Sequence, residues 1–180
     1  MSQLKLERLS SLKEHQIANR DFSFDISRQI AQPLTQLAND EPLTTTATGK
    51  TTKTFEFDES EFDGADGKEK VIFALTNQDD VLAYILADKG WNKMVHVQYI
   101  AVDKSIRRGG NARRLVEAVV EWTKEIGLKA VRIEAQTNNI SACLFWKSSG
   151  FVFGGYDEML YRCSDGVEQE QAVFLYRFVE

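Results

Sequence analysis

A β-branched run that breaks into a glycine pair and restarts at once as a helix is the feature that most narrows the fold of this chain. Tyr99-Ile100-Ala101-Val102 closes an apolar stretch that begins at Val95. Asp103-Lys104-Ser105-Ile106 follows, and then Arg107-Arg108-Gly109-Gly110-Asn111-Ala112. From Ala112 the apolar positions Leu115, Val116, Val119, Trp122 and Ile126 recur at intervals of three and four, which is one face of a helix. Gly127 ends it, as a C-terminal glycine does. Small residues at 109, 110 and 112 let backbone N–H groups converge without side chains between them. The helix start adds unsatisfied N–H groups and partial positive charge. The combination suits a pyrophosphate. Arg107, Arg108, Arg113 and Arg114 extend cationic reach around it. Taken alone, the turn serves equally as a plain chain reversal. It is not a P-loop, because no Gly-Lys-Ser/Thr follows, and its spacing fails the dinucleotide fingerprint.

Three short apolar runs stand before or at this junction: 71–75, 81–87 and 95–102. Bounded by polar turns, they predict consecutive strands of a meander. Earlier, Phe22, Phe24 and Ile26 alternate with polar neighbours at a strand period. Residues 44–52 are rich in Thr and read as turn or hairpin material, and 56–69 gathers seven acids around Gly64 and Gly67. The whole of 44–70 is expected to be a flexible polar and acidic loop, the acids either solvated or steering a cation toward the protein. After the helix, Val131 and Ile133 begin another strand, and 141–148 suits a short helix closed by Gly150. Residues 151–153, 159–162 and 172–178 read as final strands. The order gives an α/β (or α+β) class, with 1–180 as one domain.

Composition removes several alternatives. Lys and Arg total 22 against 27 Asp and Glu, a net charge of -5, which argues against a nucleic-acid partner and suits a cationic one. No leader-like segment and no run of roughly 18 apolar residues is seen, so a cytoplasmic protein without membrane partners is expected. Two cysteines and two histidines, not clustered, predict neither a disulfide framework nor a metal site.

A second segment sharpens the reading. Asn138-Asn139-Ile140-Ser141-Ala142 leads into a helix that closes with Phe145-Trp146-Lys147-Ser148-Ser149-Gly150-Phe151. The chain resembles the GNAT superfamily of acetyltransferases. Arg107, Gly110 and Ala112 fit its Arg/Gln-x-x-Gly-x-Gly/Ala motif. Asn139, Ala142, Phe145, Gly150 and Phe151 fit its second motif in register, and the resemblance covers roughly residues 70–180. Within the superfamily it is similar to the streptothricin (nourseothricin) acetyltransferases. The carriers are Trp91-Asn92, Glu134-Ala135-Gln136-Thr137-Asn138-Asn139, the stretch from Gly155 to Tyr161, and Glu170-Gln171-Ala172-Val173-Phe174.

The resemblance implies a GNAT fold: a single mixed, mostly antiparallel twisted sheet with a splayed central strand pair, flanked by helices. It implies acetyl-CoA as co-substrate, no metal, and a cationic amine as acceptor, with homodimers common in the superfamily. Ile100, Ala101 and Val102 would bind the pantetheine arm. Residues Arg107, Arg108, Gly109, Gly110, Asn111, Ala112 and Arg113 would hold the pyrophosphate, with Asn139 and Ala142 alongside. Trp91, Asn92, Gln98 and Asp157 fall on the acceptor side. For proton transfer from the amine, Glu134 and Asp157 are the carboxylate candidates. Gln98 stands where the family usually has an acid, and Trp146 where it has a Tyr. Trp146 would then hydrogen-bond sulfur or simply pack, and Tyr161 or Tyr99 would supply a hydroxyl. Cys143, on a helix, reads as core. Another amine acceptor, or a non-catalytic acyl-CoA-binding module, remain the alternatives.

Overall fold

The computed structural model describes residues 4–31, 34–39, 42–78 and 80–180. The elements run β1 (Lys5–Leu9), α1 (Glu14–Ile17), β2 (Phe24–Ile30), β3 (Thr45–Lys53), β4 (Lys70–Asn77), β5 (Asp80–Lys89), β6 (Val95–Val102), α2 (Asn111–Glu125), β7 (Ala130–Gln136), α3 (Ile140–Ser148), β8 (Val152–Asp157) and β9 (Ala172–Phe178). Short 3₁₀ turns lie at Leu34–Ala38, Glu59–Phe62 and Lys104–Ile106. Two compact units share the chain. One takes Met1–Ser23, Thr54–Val131 and Val179–Glu180; the other takes Phe24–Lys53 and Arg132–Phe178. The two interleave along the sequence, so neither leaves a boundary that composition could show. Among the described residues, no helix is long and apolar enough to cross a membrane.

In the first unit the meander forms as the apolar runs predict. The strand order is β1-β4-β5-β6, each neighbour antiparallel. Alternate residues Ile72, Ala74, Tyr84, Leu86 and Ala101 gather with Leu12 and Phe62 in one cluster. The residues between them, Val71, Phe73, Leu75, Ala83 and Ile85, are buried too. β4 and β5 are therefore covered on both faces, which is why they read as continuous apolar runs rather than as alternation. Helix α2 packs on β4, β5 and β6 through Leu115, Val116, Val119 and Trp122. Each large apolar side chain so buried contributes about 1.5–3 kcal/mol. Trp122 is fully buried, and its indole N–H donates to the Gly67 carbonyl at 2.7 Å, so no polar group is lost to the core.

The acidic stretch before β4 is tied down rather than free. Phe62 is 2% exposed, the Tyr84 hydroxyl donates to Glu59 at 2.6 Å, Lys70 Nζ donates to the Glu61 carbonyl, and Asp66 accepts from the N–H groups of Lys68 and Glu69. Gly64 and Gly67 take left-handed φ values of 74° and 71°, which these turns require.

In the second unit, β7, β9 and β8 follow in that order, and β8 and β9 pair antiparallel. Beside them β2 and β3 form a separate antiparallel hairpin. Residues 45–53 are thus a paired strand, which agrees with the hairpin reading of 44–52 and corrects the expectation that all of 44–70 is loop. Thr is favoured in strands, and with most of its side chains in solvent β3 carries no apolar alternation to reveal it. A second correction concerns 159–162, expected as a strand. The Asp157 carboxylate accepts the Met159 N–H at 2.7 Å, and the chain turns there, leaving Met159 and Leu160 exposed.

Candidate active site

The end of β6 and the start of α2 form a loop whose side chains hold its own shape. Asp103 is buried and caps the 3₁₀ turn: it accepts from Ser105 N–H at 2.8 Å and from the Ser105 hydroxyl, and its other oxygen accepts the Asp21 N–H at 3.0 Å. Burial pushes its carboxyl up, but these bonds and nearby Arg20 outweigh that and leave it below the usual carboxylate range. Arg107 turns inward, Nε to the Val102 carbonyl at 2.9 Å and one terminal nitrogen to the Ser23 carbonyl at 2.8 Å. Asn111 Nδ2 reaches back to the Ile106 carbonyl at 2.8 Å. The side chains of Arg107 and Asn111 therefore shape the loop, and the main-chain N–H of Asn111 stays available as a donor. Arg114 is also engaged, donating to the Leu4 carbonyl.

What the loop presents is main chain. Arg108 and Gly110 adopt φ values of 64° and 76°, both left-handed, on either side of Gly109. Gly110 is the N-cap of α2, and Arg114 N donates to Gly110 O at 3.1 Å, closing the first turn. The N–H groups of Asn111, Ala112 and Arg113 lie ahead of that bond, where a helix has no internal acceptor for them. A Cβ built on Gly110 meets nothing within 4 Å, and Gly109 and Gly110 are exposed, so the approach to these donors is open. This fits a pyrophosphate: amide donors, the positive end of a 15-residue helix, and no carboxylate among residues 107–114.

On the same unit, Gln98 sits in a β-bulge. The register passes from Leu86 opposite Tyr99 to Ala87 opposite Val97, and Gln98 is the extra residue. Bulges re-aim side chains, and here Nε2 of Gln98 donates to Asp88 Oδ1 at 2.9 Å. Asp88 was not singled out by the sequence, since nothing in its spacing marks it. Trp91, 93% exposed, projects from the β5–β6 turn. Asn92 stiffens that turn: its Oδ1 accepts the Met94 N–H at 3.2 Å and lies 2.9 Å from His96 Nε2. Ile100 and Ala101 stand opposite Ile85 and Tyr84 in the β5–β6 ladder, while the Val102 carbonyl is taken by Arg107. Tyr99 donates its hydroxyl to the Phe55 carbonyl and stacks on Phe57, and burial pushes it up to about 12. It is a structural group.

The second unit holds the proton-transfer candidates. Glu134 on β7 accepts the Tyr161 hydroxyl at 2.6 Å, and Gln136 Nε2 donates to the same hydroxyl at 2.8 Å. Residues 134 and 136 lie two apart on one strand face, and the turn after β8 brings Tyr161 over them. Burial, and then the Glu134 acceptor, hold the Tyr161 phenol well above its ordinary value, so it stays protonated and steers the carboxylate. Gln136 is a further residue of this array. Asp157 caps its own turn and is not brought to Glu134 by any hydrogen bond among the described residues. Trp146 is 3% exposed, with ring centroids 5.1 Å from Phe145 and 5.0 Å from Phe151. The structure puts it in the aromatic packing of α3, the packing alternative that the sequence left open. Asn139 is the N-cap of α3, its Oδ1 accepting the Ala142 N–H at 3.1 Å. Cys143 is fully buried, and burial pushes its thiol up to about 12, so it carries no nucleophilic role.

Residues 33–151 match the Acetyltransferase (GNAT) family. The chain belongs to the GNAT family of acetyltransferases. Its sequence is 30% identical to streptothricin acetyltransferase A of Bacillus subtilis (strain 168) over 124 residues, 69% of this chain and 71% of that one. It is 31% identical to the streptothricin acetyltransferase of Escherichia coli over 99 residues, 55% of this chain and 57% of that protein's length. Among solved structures, a Bacillus anthracis protein assigned as a streptothricin acetyltransferase, in complex with acetyl coenzyme A, superposes with a TM-score of 0.78. It covers 98% of this chain and 99% of its own at 24% identity, and so shares the GNAT fold.

Proposed function

We propose that this GNAT acetyltransferase transfers the acetyl group of acetyl-CoA to a primary amine of a streptothricin-type cationic antibiotic, neutralising that amine. The observation that carries the donor side is the loop from Arg107 to Arg113, pre-shaped by its own side chains and presenting amide donors at a helix start. Likeness to the two streptothricin acetyltransferases supports the acceptor.

Acetyl-CoA supplies an activated acyl group and a thiolate leaving group. The residues of the chain supply the rest. The amide groups of 108–113 hold the pyrophosphate. Glu134 takes the proton that the attacking amine must lose as the N–C bond forms and the C–S bond breaks. Tyr161 and Gln136 fix the carboxylate in place. Asp88, held by Gln98, puts a carboxylate on the strand next to the one where the family carries its acid, and it binds the cationic acceptor. No covalent enzyme intermediate is involved.

The test is release of free coenzyme A thiol with streptothricin and with a panel that includes polyamines, lysine peptides and simple primary amines. Release that is fastest with streptothricin is the expected result. Tight acetyl-CoA binding with no release from any amine would overturn the catalytic reading. Preference for another amine would overturn the acceptor.

A further inference from the structure

The donor loop is held by a distant piece of chain that no motif marks. Residues 21–23 belong to the same unit as the loop and stand 81 to 84 positions before the loop residues they bond. Asp21 gives its N–H to Asp103 Oδ2 at 3.0 Å and takes the Lys104 N–H on its carbonyl at 2.9 Å. Ser23 takes an Arg107 terminal nitrogen on its carbonyl at 2.8 Å and Lys104 Nζ on its hydroxyl at 2.7 Å. These bonds form a strut along Asp103 to Arg107, and the next residue is Arg108 at φ 64°. A non-glycine residue keeps a left-handed backbone where its surroundings impose it.

Arg20 stands at the head of the strut. It pairs with Asp80 through one terminal nitrogen at 2.6 Å, on a side chain that Asp80 leaves largely in solvent. Its Nε is buried and has no hydrogen-bond partner among the described residues. A donor left so calls for a physical reason, and the charge of the guanidinium supplies one. Burial works against an ionised Asp103, and Arg20 is among the groups that offset it. An ionised carboxylate accepts at both oxygens. Asp103 uses both, one for Ser105 and the other for Asp21. A protonated carboxyl would turn one of those acceptors into a donor, and the strut would lose a bond.

We propose that Arg20 is a positioning residue for acetyl-CoA: acting through Asp103, it keeps residues 21–23 against the loop and so aims the amide donors of 108–113 without touching the cofactor. This role rests on the pyrophosphate lying at the loop, and it adds a distant residue on which donor affinity depends.

The experiment measures acetyl-CoA Kd by calorimetry and kcat by thiol release, below each protein's melting temperature. The variants are Arg20→Met, Arg20→Lys, Asp103→Asn, the double variant Arg20→Met/Asp103→Asn, and Asp80→Asn as control for the ion pair alone. Arg20→Met raises Kd about tenfold and leaves kcat at saturating acetyl-CoA within about twofold of wild type. Arg20→Lys, which keeps the charge, recovers the affinity, and Asp80→Asn binds as wild type does. The double variant binds no more weakly than Asp103→Asn, because the two residues act in one chain. In wild type, acetyl-CoA slows amide hydrogen exchange across residues 20–23. A wild-type Kd in Arg20→Met, losses that add in the double variant, an equal loss in Asp80→Asn, an Arg20→Lys as weak as Arg20→Met, or exchange at 20–23 that ignores acetyl-CoA overturns the positioning role. If Gly110→Glu still loses affinity, the pyrophosphate site stands without the strut; if it too binds as wild type does, the site itself is misplaced.

Discussion

Gly110 separates what the donor loop needs from its backbone and what it needs from its charge. At φ 76° an alanine pays the left-handed penalty of about 1–2 kcal/mol. Nothing lies within 4 Å of the added Cβ, so no steric cost joins it. For a chain of 180 residues that strain lowers Tm by about 2–8 °C. Gly127, φ 72°, is also open around its Cβ and sits at the far end of α2. Gly127→Ala should therefore cost the same stability and leave acetyl-CoA affinity untouched. Gly110→Glu pays similar strain and adds a carboxylate beside the pyrophosphate. Unit charges about 4 Å apart at an effective dielectric of about 20 repel by about 4 kcal/mol, or about a thousandfold in Kd. Thermal melts and acetyl-CoA calorimetry on the three variants decide the matter. If Gly110→Glu binds acetyl-CoA as wild type does, the pyrophosphate is not at this loop. If Gly110→Ala loses as much affinity as Gly110→Glu, backbone shape rather than charge is responsible.

Three other outcomes follow from side chains already described. Tyr161→Phe removes the hydroxyl that holds Glu134, a hydrogen bond to a charged group, and should lower kcat about tenfold or more with little change in acetyl-CoA Kd, measured by thiol release and calorimetry. Iodoacetamide at pH 8 should label exposed Cys163 and leave Cys143 unmodified until the protein unfolds, as read by peptide mass spectrometry. The Ser23 hydroxyl, Lys104 and the Ser23 N–H hold Asp21 down to about 2 from 3.8, so its contribution to stability is present above about pH 4 and is lost as pH falls toward 2. Asp21→Asn should flatten the acid unfolding limb in that window, and an unchanged limb would show the bonds to be of no consequence.

The elements legible in the sequence were those with a strong period or a continuous apolar run. β4, β5, β6 and α2 are buried on a face or on both, and burial writes itself into residue type. β3 was legible only as turn or hairpin material, because a Thr-rich strand with most of its side chains in solvent carries no apolar alternation to separate the two. β1, with Leu6 and Leu9 among charges, pairs along one side of β4 and shows too little apolar pattern. The run Met159-Leu160-Tyr161 looked like a strand for its composition, yet Asp157 turns the chain and leaves Met159 63% exposed. In the site, residue type pointed to the donor loop but not to the division of labour within it: the side chains of Arg107 and Asn111 are spent on backbone carbonyls, and the donors are main-chain N–H groups. Likewise, Gln98 departs from the family's acid in one dimension, but a bulge places it on Asp88, a register effect that no residue string displays.

The most direct measurement is the mass of streptothricin after incubation with the protein and acetyl-CoA. The expected result is one added acetyl group on a primary amine, dependent on acetyl-CoA and slowed in Glu134→Gln. Antibiotic recovered unmodified, while the protein binds acetyl-CoA, would contradict the proposed reaction.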